Sequence, residues 1–392
     1  MTQPTTTVWI SANTTRYALN TREGLIRRLQ EEGFGVTVVA PADNYVRRIK
    51  ALGAEHIDLP MVGDAQPLRD AQLTARYWRL LRYHRPAALL SFTHKPNTYG
   101  AFMAHLFAIP VIANVAGLGS GFTTKNPLVR RLVKLLYRIT RRCRSHVFFQ
   151  NNEDLAYFEA HRMIRIENAG RLPGSGVDPG HFNPRNRQSG HPFTFLFSGR
   201  LLWEKGIGEY VAAARRLRSD SPTTRFQLLG FVDANSPGGI SAEQIEAWSQ
   251  EGIIEFLGRS DDVRNQYAAC DCIVLPSYYR EGVPRTLLEG ASMAIPLITT
   301  DTPGCRDAIE DDVTGLLVQP RDVDDLTAKM RSMIQMTGGE RRRMGLLGRD
   351  KMCREFSQDI VIDRYLEVLT QLGVTDSSAR NGSTPNCGSP EA

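Results

Sequence analysis

One stretch in the last third of the chain carries the strongest fold signal. It reads Cys272-Ile-Val-Leu-Pro-Ser-Tyr-Tyr-Arg-Glu281-Gly-Val-Pro284-Arg-Thr-Leu-Leu-Glu289-Gly290. An apolar run of strand length comes first and a short loop follows. Pro284 suits the first turn of a helix, because that position needs no N–H donor. The stretch therefore predicts a strand, loop and helix of a parallel α/β sheet.

Similar apolar runs alternate with helical patterns along the whole chain, in two series. The first series covers 7–11, 35–40, 88–92, 110–114 and 145–150, and the second covers 193–198, 225–230, 253–257, 272–276, 296–300 and 315–318. A Gly- and Pro-rich segment at 172–192 separates them and is typical of a linker. We therefore predict two α/β domains with parallel sheets that face each other across this linker.

The predicted boundaries follow from these signals. The first domain covers 1–185 and the second 186–355, and a helix at 356–373 could return to the first domain. Residues 374–392 lack hydrophobic anchors, so we predict a disordered tail.

Composition and charge narrow the functional classes. The 392 residues are 42% hydrophobic and 23% charged, as in soluble globular proteins. Residues 1–185 carry 25 Lys and Arg against 13 Asp and Glu, a net +12, whereas the total is only +6. The first domain is therefore expected to meet an acidic partner. No signal peptide or long uncharged apolar run is visible, which favours a cytoplasmic protein.

The loop before the predicted helix is suited to an anion. Glu281 and Gly282 lie where backbone N–H groups point out of a helix start, and Glu289 follows five residues after Pro284, about 7.5 Å further along the axis. A ligand with hydroxyls at both ends and a charged middle fits between the carboxylates. A nucleotide diphosphate sugar has this form.

A second candidate segment lies at the carboxyl end of the predicted strand 193–198. It reads Ser198-Gly-Arg200-Leu-Leu-Trp-Glu-Lys205-Gly206. Open α/β sheets bind ligands at this edge, and Arg200 with Lys205 suits a diphosphate. Two solvated surface cations are the alternative.

The combination of Ser-Gly-Arg-x4-Lys-Gly, Glu-Gly-Val-Pro-x4-Glu, Asp301-Thr-Pro-Gly304 and Asp312-Val-Thr-Gly resembles glycosyltransferase family four. The resemblance implies the GT-B fold, in which two Rossmann-like, doubly wound parallel-sheet domains face each other across a cleft, and transfer with retention and without a metal or other cofactor. It also implies the donor-site residues. These are Gly199, Arg200, Lys205, Gly258, Arg259, Glu281, Gly282, Val283, Pro284 and Glu289, of which Arg200, Lys205 and Glu281 would also be catalytic.

In the first domain, Ser91-Phe-Thr-His94-Lys95-Pro-Asn97, Ala116-Gly117-Leu-Gly119 and Gly174-Ser-Gly-Val-Asp178 resemble bacterial α-1,3-N-acetylgalactosaminyltransferases that extend a polyprenyl-diphosphate-linked glycan. The predicted function is transfer of a sugar, an N-acetylhexosamine, from a UDP-sugar to such an acceptor during polysaccharide or glycan assembly. Two alternatives remain open at this point. One is a UDP-sugar 2-epimerase of the same fold, and the other is a non-catalytic nucleotide-sugar-binding protein.

Candidate acceptor residues cluster at predicted strand ends of the first domain. His94 could orient an acceptor hydroxyl or stabilise the diphosphate, and we count it as catalytic. The other acceptor candidates are Asn13, Arg22, Lys95, Asn97, Gly117 and Gly119. Many family members have a Gly-Gly loop after the first strand, whereas this chain has Ser11-Ala12-Asn13.

Residues 128–144 predict a basic amphipathic helix, with seven cations in 17 residues. Such a helix can lie on an anionic membrane surface, or it can pack its apolar face on the domain core. A lipid-linked acceptor favours the membrane, so we expect a peripheral protein at the inner face of the cell membrane. Nucleic acid is not expected as a partner, because the segment lacks interleaved aromatic residues.

Asp322-Val-Asp324 has the form of a metal-binding Asp-x-Asp pair. Its place just before a predicted helix favours helix capping instead, so no metal site is predicted.

Overall fold

The computed structural model describes residues 6–61, 66–117, 122, 127–141, 144–185, 192–232 and 238–375. The chain divides into two compact units, the first formed by 1–172 with 362–392 and the second by 173–361. Residues 173–185 therefore belong with the second unit, and the return to the first unit begins at 362. The predicted disordered tail lies outside the described residues from 376 onward, but Val374 at its start is buried.

The first unit contains a seven-stranded parallel sheet in the order β3-β2-β1-β4-β5-β6-β7. Its strands are β1 Thr7–Ser11, β2 Gly35–Ala40, β3 Glu55–Asp58, β4 Ala88–Phe92, β5 Val111–Val115, β6 Ser145–Phe149 and β7 Ala169–Arg171. The strand order reverses between β1 and β4. In doubly wound sheets, ligands bind outside the carboxyl ends of the strands at such a reversal.

Helices connect these strands, as the strictly parallel pairing requires. They are α1 Thr15–Glu31, α2 Val46–Ala51, α3 Pro67–His84, α4 Ala101–Leu106, α5 Pro127–Thr140 and α6 Asn152–Ala160. One π-helical turn, Pro96–Gly100, leads into α4. Thr14 caps α1 by accepting a hydrogen bond from the backbone N–H of Tyr17.

The second unit contains a six-stranded sheet in the order β10-β9-β8-β11-β12-β13. Its strands are β8 Thr194–Arg200, β9 Arg225–Phe231, β10 Glu255–Phe256, β11 Cys272–Leu275, β12 Leu297–Thr300 and β13 Gly315–Val318. The strands β8, β11 and β12 are buried along most or all of their length, as expected for a parallel sheet covered on both faces.

The helices of this unit are α7 Ile207–Asp220, α8 Ala242–Gln250, α9 Arg264–Ala269, α10 Arg285–Ser292, α11 Val323–Gln335 and α12 Gly338–Glu355, followed by α13 Gln358–Gln371, which continues into the first unit. Asp322 is the N-cap of α11 and accepts from the N–H of Asp325 at 2.9 Å, which confirms the capping interpretation of this acidic pair.

Two parallel sheets of doubly wound order confirm the predicted fold class. Pro284 was predicted in the first turn of a helix, but it is the N-cap of α10, and the helix begins at Arg285. Among the described helices, none combines the length and the hydropathy needed to cross a membrane.

Candidate active site

Two loops approach each other closely and bring Lys205, which follows β8, to the loop after β11. Gly206 has φ +79°, and a Cβ at this position would lie 2.1 Å from the carbonyl oxygen of Pro276. Only glycine fits this contact without a shift of the backbone. The close packing seats Lys205, just before the turn, against the residues that follow β11.

Lys205 and Glu281 form an ion pair between Nζ and Oε1, with side chains only 8% and 17% exposed. Ser277 Oγ donates a hydrogen bond to the same carboxylate oxygen at 3.1 Å. Sequence analysis gave Lys205 and Glu281 separate roles and did not single out Ser277, because a serine after a strand carries no specific signal. The structure places all three groups in one buried cluster.

The start of α10 is tied to the end of β8. Thr286 Oγ1 donates to the carbonyl oxygen of Ser198 at 2.9 Å, and the hydroxyl of Tyr267 donates to Ser198 Oγ at 3.1 Å. Backbone N–H groups in a first helical turn have no acceptor within the helix, so this helix start presents donors beside the β8 loop.

The second carboxylate of the motif, Glu289, is held by a residue that sequence analysis did not select. Arg285 Nε and Nη2 contact Glu289 Oε1 at 2.9 and 2.8 Å, and the Glu289 side chain is 12% exposed. The i, i+4 spacing of an arginine and a glutamate on one helix could have predicted this pair.

Two glycines pack closely against the loop between the carboxylates of Glu281 and Glu289. A Cβ on Gly304, which has φ +84°, would lie 2.3 Å from the carbonyl oxygen of Gly282. A Cβ on Gly174 would lie 3.0 Å from Cβ of Val283, which is itself buried. The loop at 281–284 is therefore closely packed from two sides.

The remaining donor candidates line the same sheet edge with more exposure. The guanidinium of Arg200, next to the half-buried Gly199, lies 5.5 Å from the ring centroid of Tyr279, and Lys205 Nζ lies 5.7 Å from the same ring. Gly258 has φ +70°, and a Cβ at this position would meet no atom within 4 Å, so space is open beside it. Arg259 pairs with Asp261 at 3.2 Å.

In the first unit, two acceptor candidates are engaged by protein groups. Lys95 Nζ contacts Asp70 Oδ1 at 2.6 Å in a buried ion pair. The Asn97 side chain accepts from Ser91 Oγ at 2.8 Å and donates to the carbonyl oxygen of Asn114 at 2.6 Å. The polar groups of Lys95 and Asn97 thus bind other protein groups near the carboxyl ends of the strands.

His94 lies at the carboxyl end of β4 with its ring facing Phe122 at 6.4 Å. Burial, and secondly the charge of Lys95, lowers the pKa of His94 to about 4, and the charge of Asp70 opposes this only in part. The imidazole is therefore neutral at neutral pH and can donate and accept one hydrogen bond each.

The other acceptor candidates differ in their surroundings. Asn13 is exposed at the start of α1, and Gly117 has φ +108° after β5. Gly119 lies outside the described residues. Arg22 is 2% exposed, and its guanidinium carbon lies 4.3 Å from the ring centroid of Phe92.

Within the described ranges, no three His, Cys, Asp or Glu side chains are grouped so that they could hold a metal ion.

The chain is similar to known proteins over most of its length. Residues 182–351 match the family "Glycosyl transferases group 1", and residues 20–170 match the "Glycosyl transferase 4-like domain". The chain is 26% identical over 369 residues to the N,N'-diacetylbacillosaminyl-diphospho-undecaprenol alpha-1,3-N-acetylgalactosaminyltransferase of Campylobacter jejuni, which covers 88% of this chain and 94% of that protein. It is 22% identical over 269 residues to the UDP-Gal:alpha-D-GlcNAc-diphosphoundecaprenol alpha-1,3-galactosyltransferase of Escherichia coli, covering 66% of this chain and 68% of that protein.

The fold is also similar to that of a solved structure, Anabaena HepE in complex with UDP, with a TM-score of 0.75 and 17% identity over 93% of this chain and 99% of that one. The family resemblance read from the motifs is confirmed, because the two family matches between them cover most of residues 20–351. The chain belongs to the group 1 glycosyltransferases and carries a glycosyltransferase 4-like domain in its first half.

Proposed function

We propose that this glycosyltransferase moves a sugar, an N-acetylhexosamine, from a UDP-sugar to a polyprenyl-diphosphate-linked saccharide in polysaccharide or glycan assembly. The names of the Campylobacter and Escherichia relatives, both of which act on undecaprenyl-diphosphate-linked sugars, support the acceptor class. The UDP complex of HepE and the UDP-galactose in the Escherichia name support a UDP-sugar as donor.

The observation that carries the proposal is the buried cluster of Lys205, Glu281 and Ser277 beside the start of α10. A diphosphate at the helix start would meet backbone N–H donors together with the charges of Arg200 and Lys205. Glu281 would then accept hydrogen bonds from hydroxyls of the donor sugar, and Glu289 from the ribose.

The proposed transfer occurs with retention. The bond between the anomeric carbon and the UDP oxygen breaks, and its electron pair leaves with the diphosphate. The acceptor hydroxyl attacks on the same face and passes its proton to the departing phosphate oxygen. Arg200, Lys205 and the helix start stabilise the charge that develops on that oxygen, so the proposal includes no metal or other cofactor.

The test is mass spectrometry of the products when the purified chain is incubated with single UDP-sugars and a short polyprenyl-diphosphate saccharide. We expect the acceptor to gain the mass of one N-acetylhexosamine residue. A parallel incubation without acceptor separates the epimerase, because only an epimerase would convert the UDP-sugar alone. Conversion there, or UDP binding with no product from any donor, would overturn the proposal.

We further propose that α5 attaches the protein to an anionic membrane surface at the inner face of the cell membrane. The helix has two apolar faces. Val133, Leu136 and Tyr137 are buried in the domain core, whereas the side chains of Leu128 and Leu135 are more than half exposed. Sequence analysis treated core packing and lipid contact as alternatives, but this helix can make both.

The exposed leucines have the geometry of an interfacial helix. Leu128, Leu132 and Leu135 are 69%, 45% and 51% exposed and lie at i, i+4 and i+7, which places them on one face. Exposed arginines at 130 and 131 border this face. Leucines entering the lipid and cations meeting anionic headgroups would act together.

Vesicle co-sedimentation tests this surface. We expect binding to vesicles of anionic lipid that weakens with salt, and strong loss of binding when Leu132 and Leu135 are both changed to Ser. The matched control is Leu68→Ser, which removes an 83% exposed leucine from α3. Equal binding to neutral and anionic vesicles would contradict the proposal.

A further inference from the structure

Arg22 is a buried cation with two nitrogens left unsatisfied. It is 2% exposed, and its Nε and Nη2 are out of contact with solvent and make no hydrogen bond in the described part of the chain. Its guanidinium lies instead over the rings of Phe92, at 4.3 Å, and of Tyr365, at 5.8 Å. Ring faces compensate a cation only in part, and buried charges in proteins are otherwise paired with an anion or held by hydrogen bonds.

The position of this guanidinium coincides with the reversal of the strand order. Phe92 is the last residue of β4, and β4 pairs with β1 at the point where the order turns from β3-β2-β1 to β4-β5. Arg22 extends from α1, the helix that follows β1. The cation therefore lies at the edge of the sheet where doubly wound proteins hold ligands.

A second unsatisfied group lies at the same strand end. Thr93 directly follows Phe92 and has φ +71°, a backbone conformation that is strained for a β-branched residue. Its Oγ1 is out of contact with solvent and has no hydrogen-bond partner among the residues that the structure describes. A hydroxyl and a guanidinium at one strand end can together donate hydrogen bonds to the oxygens of a phosphate group.

We propose that Arg22 and the β4 end form an anion site in the first unit for a phosphate or diphosphate group. Rotation about the terminal torsions of the long Arg22 side chain turns its buried N–H groups away from the two rings and towards an anion at this edge, to which Thr93 Oγ1 also donates. The residues of this site belong to the first unit, whereas Lys205 and Glu281 belong to the second. The inference rests on the proposed function only for the source of the anion, which is the diphosphate of a lipid-linked acceptor or that of the nucleotide donor.

The test measures binding of inorganic pyrophosphate by calorimetry to the full chain carrying Arg200→Met and Lys205→Met, which removes the cations of the other site. Adding Arg22→Met is expected to weaken pyrophosphate binding about tenfold or more, because charge-assisted hydrogen bonds are lost. The matched control, Arg27→Met, removes an exposed arginine of the same helix and should leave the affinity unchanged. Unchanged pyrophosphate affinity in the Arg22→Met protein would overturn the proposal.

Two further measurements complete the design. Should Arg22→Met fail to fold, Thr93→Val removes the hydroxyl donor with little change of volume, and unchanged pyrophosphate affinity there would equally overturn the site. With the cations of the second unit restored, comparing farnesyl diphosphate and UDP identifies the source: the ligand whose affinity falls in Arg22→Met is the one whose diphosphate occupies the site. Pyrophosphate binding can be measured whether or not sugar transfer is found, so failure of the proposed function and failure of this site are distinguishable.

Discussion

Glu281 is expected to act on the reacting sugar rather than on nucleotide affinity. Its carboxylate is fixed by Lys205 and Ser277, so it is already oriented before a ligand binds. Glu281→Gln should lower kcat by about a hundredfold or more with a smaller change in the Kd for UDP, as for loss of one preorganised charged group. Steady-state transfer rates and calorimetry with UDP measure the two effects.

The control for this variant is Glu204→Gln, which removes the charge of an exposed glutamate next to Lys205. It should leave both quantities nearly unchanged. Full activity of Glu281→Gln with the true substrates would show that the carboxylate has no part in transfer.

Two histidines of the first unit should make stability depend on pH. Burial lowers the pKa of His94 and of His146 to about 4 from 6.5, and nearby cations, Lys95 and Arg364 respectively, lower each pKa further. Between pH 6.5 and 4 the unfolded chain therefore binds protons that the folded chain does not. The stabilisation is fully present above pH 6.5 and is lost as the pH falls towards 4.

The measurement is the urea midpoint at neutral pH and near pH 5, where most carboxylates are still ionised. We expect a lower urea midpoint at the acidic pH. The decrease in midpoint should be roughly half as large in His94→Gln, because His146 still contributes its own pH dependence. An unchanged drop in His94→Gln would show that His94 is accessible to protons in the folded protein.

For single residues, residue type and spacing predicted the candidate site residues but not which of them contact each other. The cationic and acidic positions of the donor motifs could be read from the strand ends and the helix start. The contact of Lys205 with Glu281 could not, because it depends on the approach of the Gly206 turn to Pro276, two segments 70 residues apart in the chain. Packing distances of this kind leave no trace in local sequence.

Among the connecting elements, the turn between β8 and α7 should be the least tolerant of a side chain. Gly206→Ala combines a positive φ with a Cβ 2.1 Å from the Pro276 carbonyl oxygen, so we expect a loss of more than about 3 kcal/mol in the free energy of unfolding. Gly258→Ala is the matched control, since Gly258 has a similar φ but open space around it. It should cost only about 1–2 kcal/mol.

Denaturant unfolding of both variants measures the difference. Equal losses would mean that the backbone conformation alone, and not the contact with Pro276, makes glycine necessary at 206. A Gly206→Ala protein that still folds is also expected to lose activity, because the turn positions Lys205.

Four strands in which apolar residues predominate, β1, β2, β4 and β13, were predicted with their observed bounds. The two strands missed were β3 and β7. Glu55–Asp58 lies at the sheet edge and contains a single apolar residue, Ile57, and Ala169–Arg171 has three residues with a central glycine. Edge strands need fewer apolar side chains because one side lacks a neighbour, so their sequences resemble loops.

For the whole molecule, the return of the chain into the first unit should be essential for that unit. Helix α13 begins in the second unit and continues in the first, where Tyr365 is fully buried between Phe92 and Phe148. Its hydroxyl accepts a hydrogen bond from Asn114 Nδ2 at 2.8 Å. A segment almost 200 residues beyond the end of the first-unit strands thus completes the core of that unit. Sequence patterns indicated this return of the chain only as one possible arrangement of the helix at 356–373.

Tyr365→Ala should therefore destabilise the first unit by about 3–5 kcal/mol, as for other large-to-small changes of buried aromatic residues. Tyr365→Phe keeps the ring and leaves only Asn114 Nδ2 unsatisfied, so about 1–3 kcal/mol is expected. Hydrogen exchange followed by mass spectrometry should show faster exchange in β4, β5 and β6 but not in β8 and β11. Glu367→Ala, at an exposed position of the same helix, should change little. Equal acceleration of exchange in both sheets would mean that Tyr365 stabilises the whole chain rather than the unit whose core it completes.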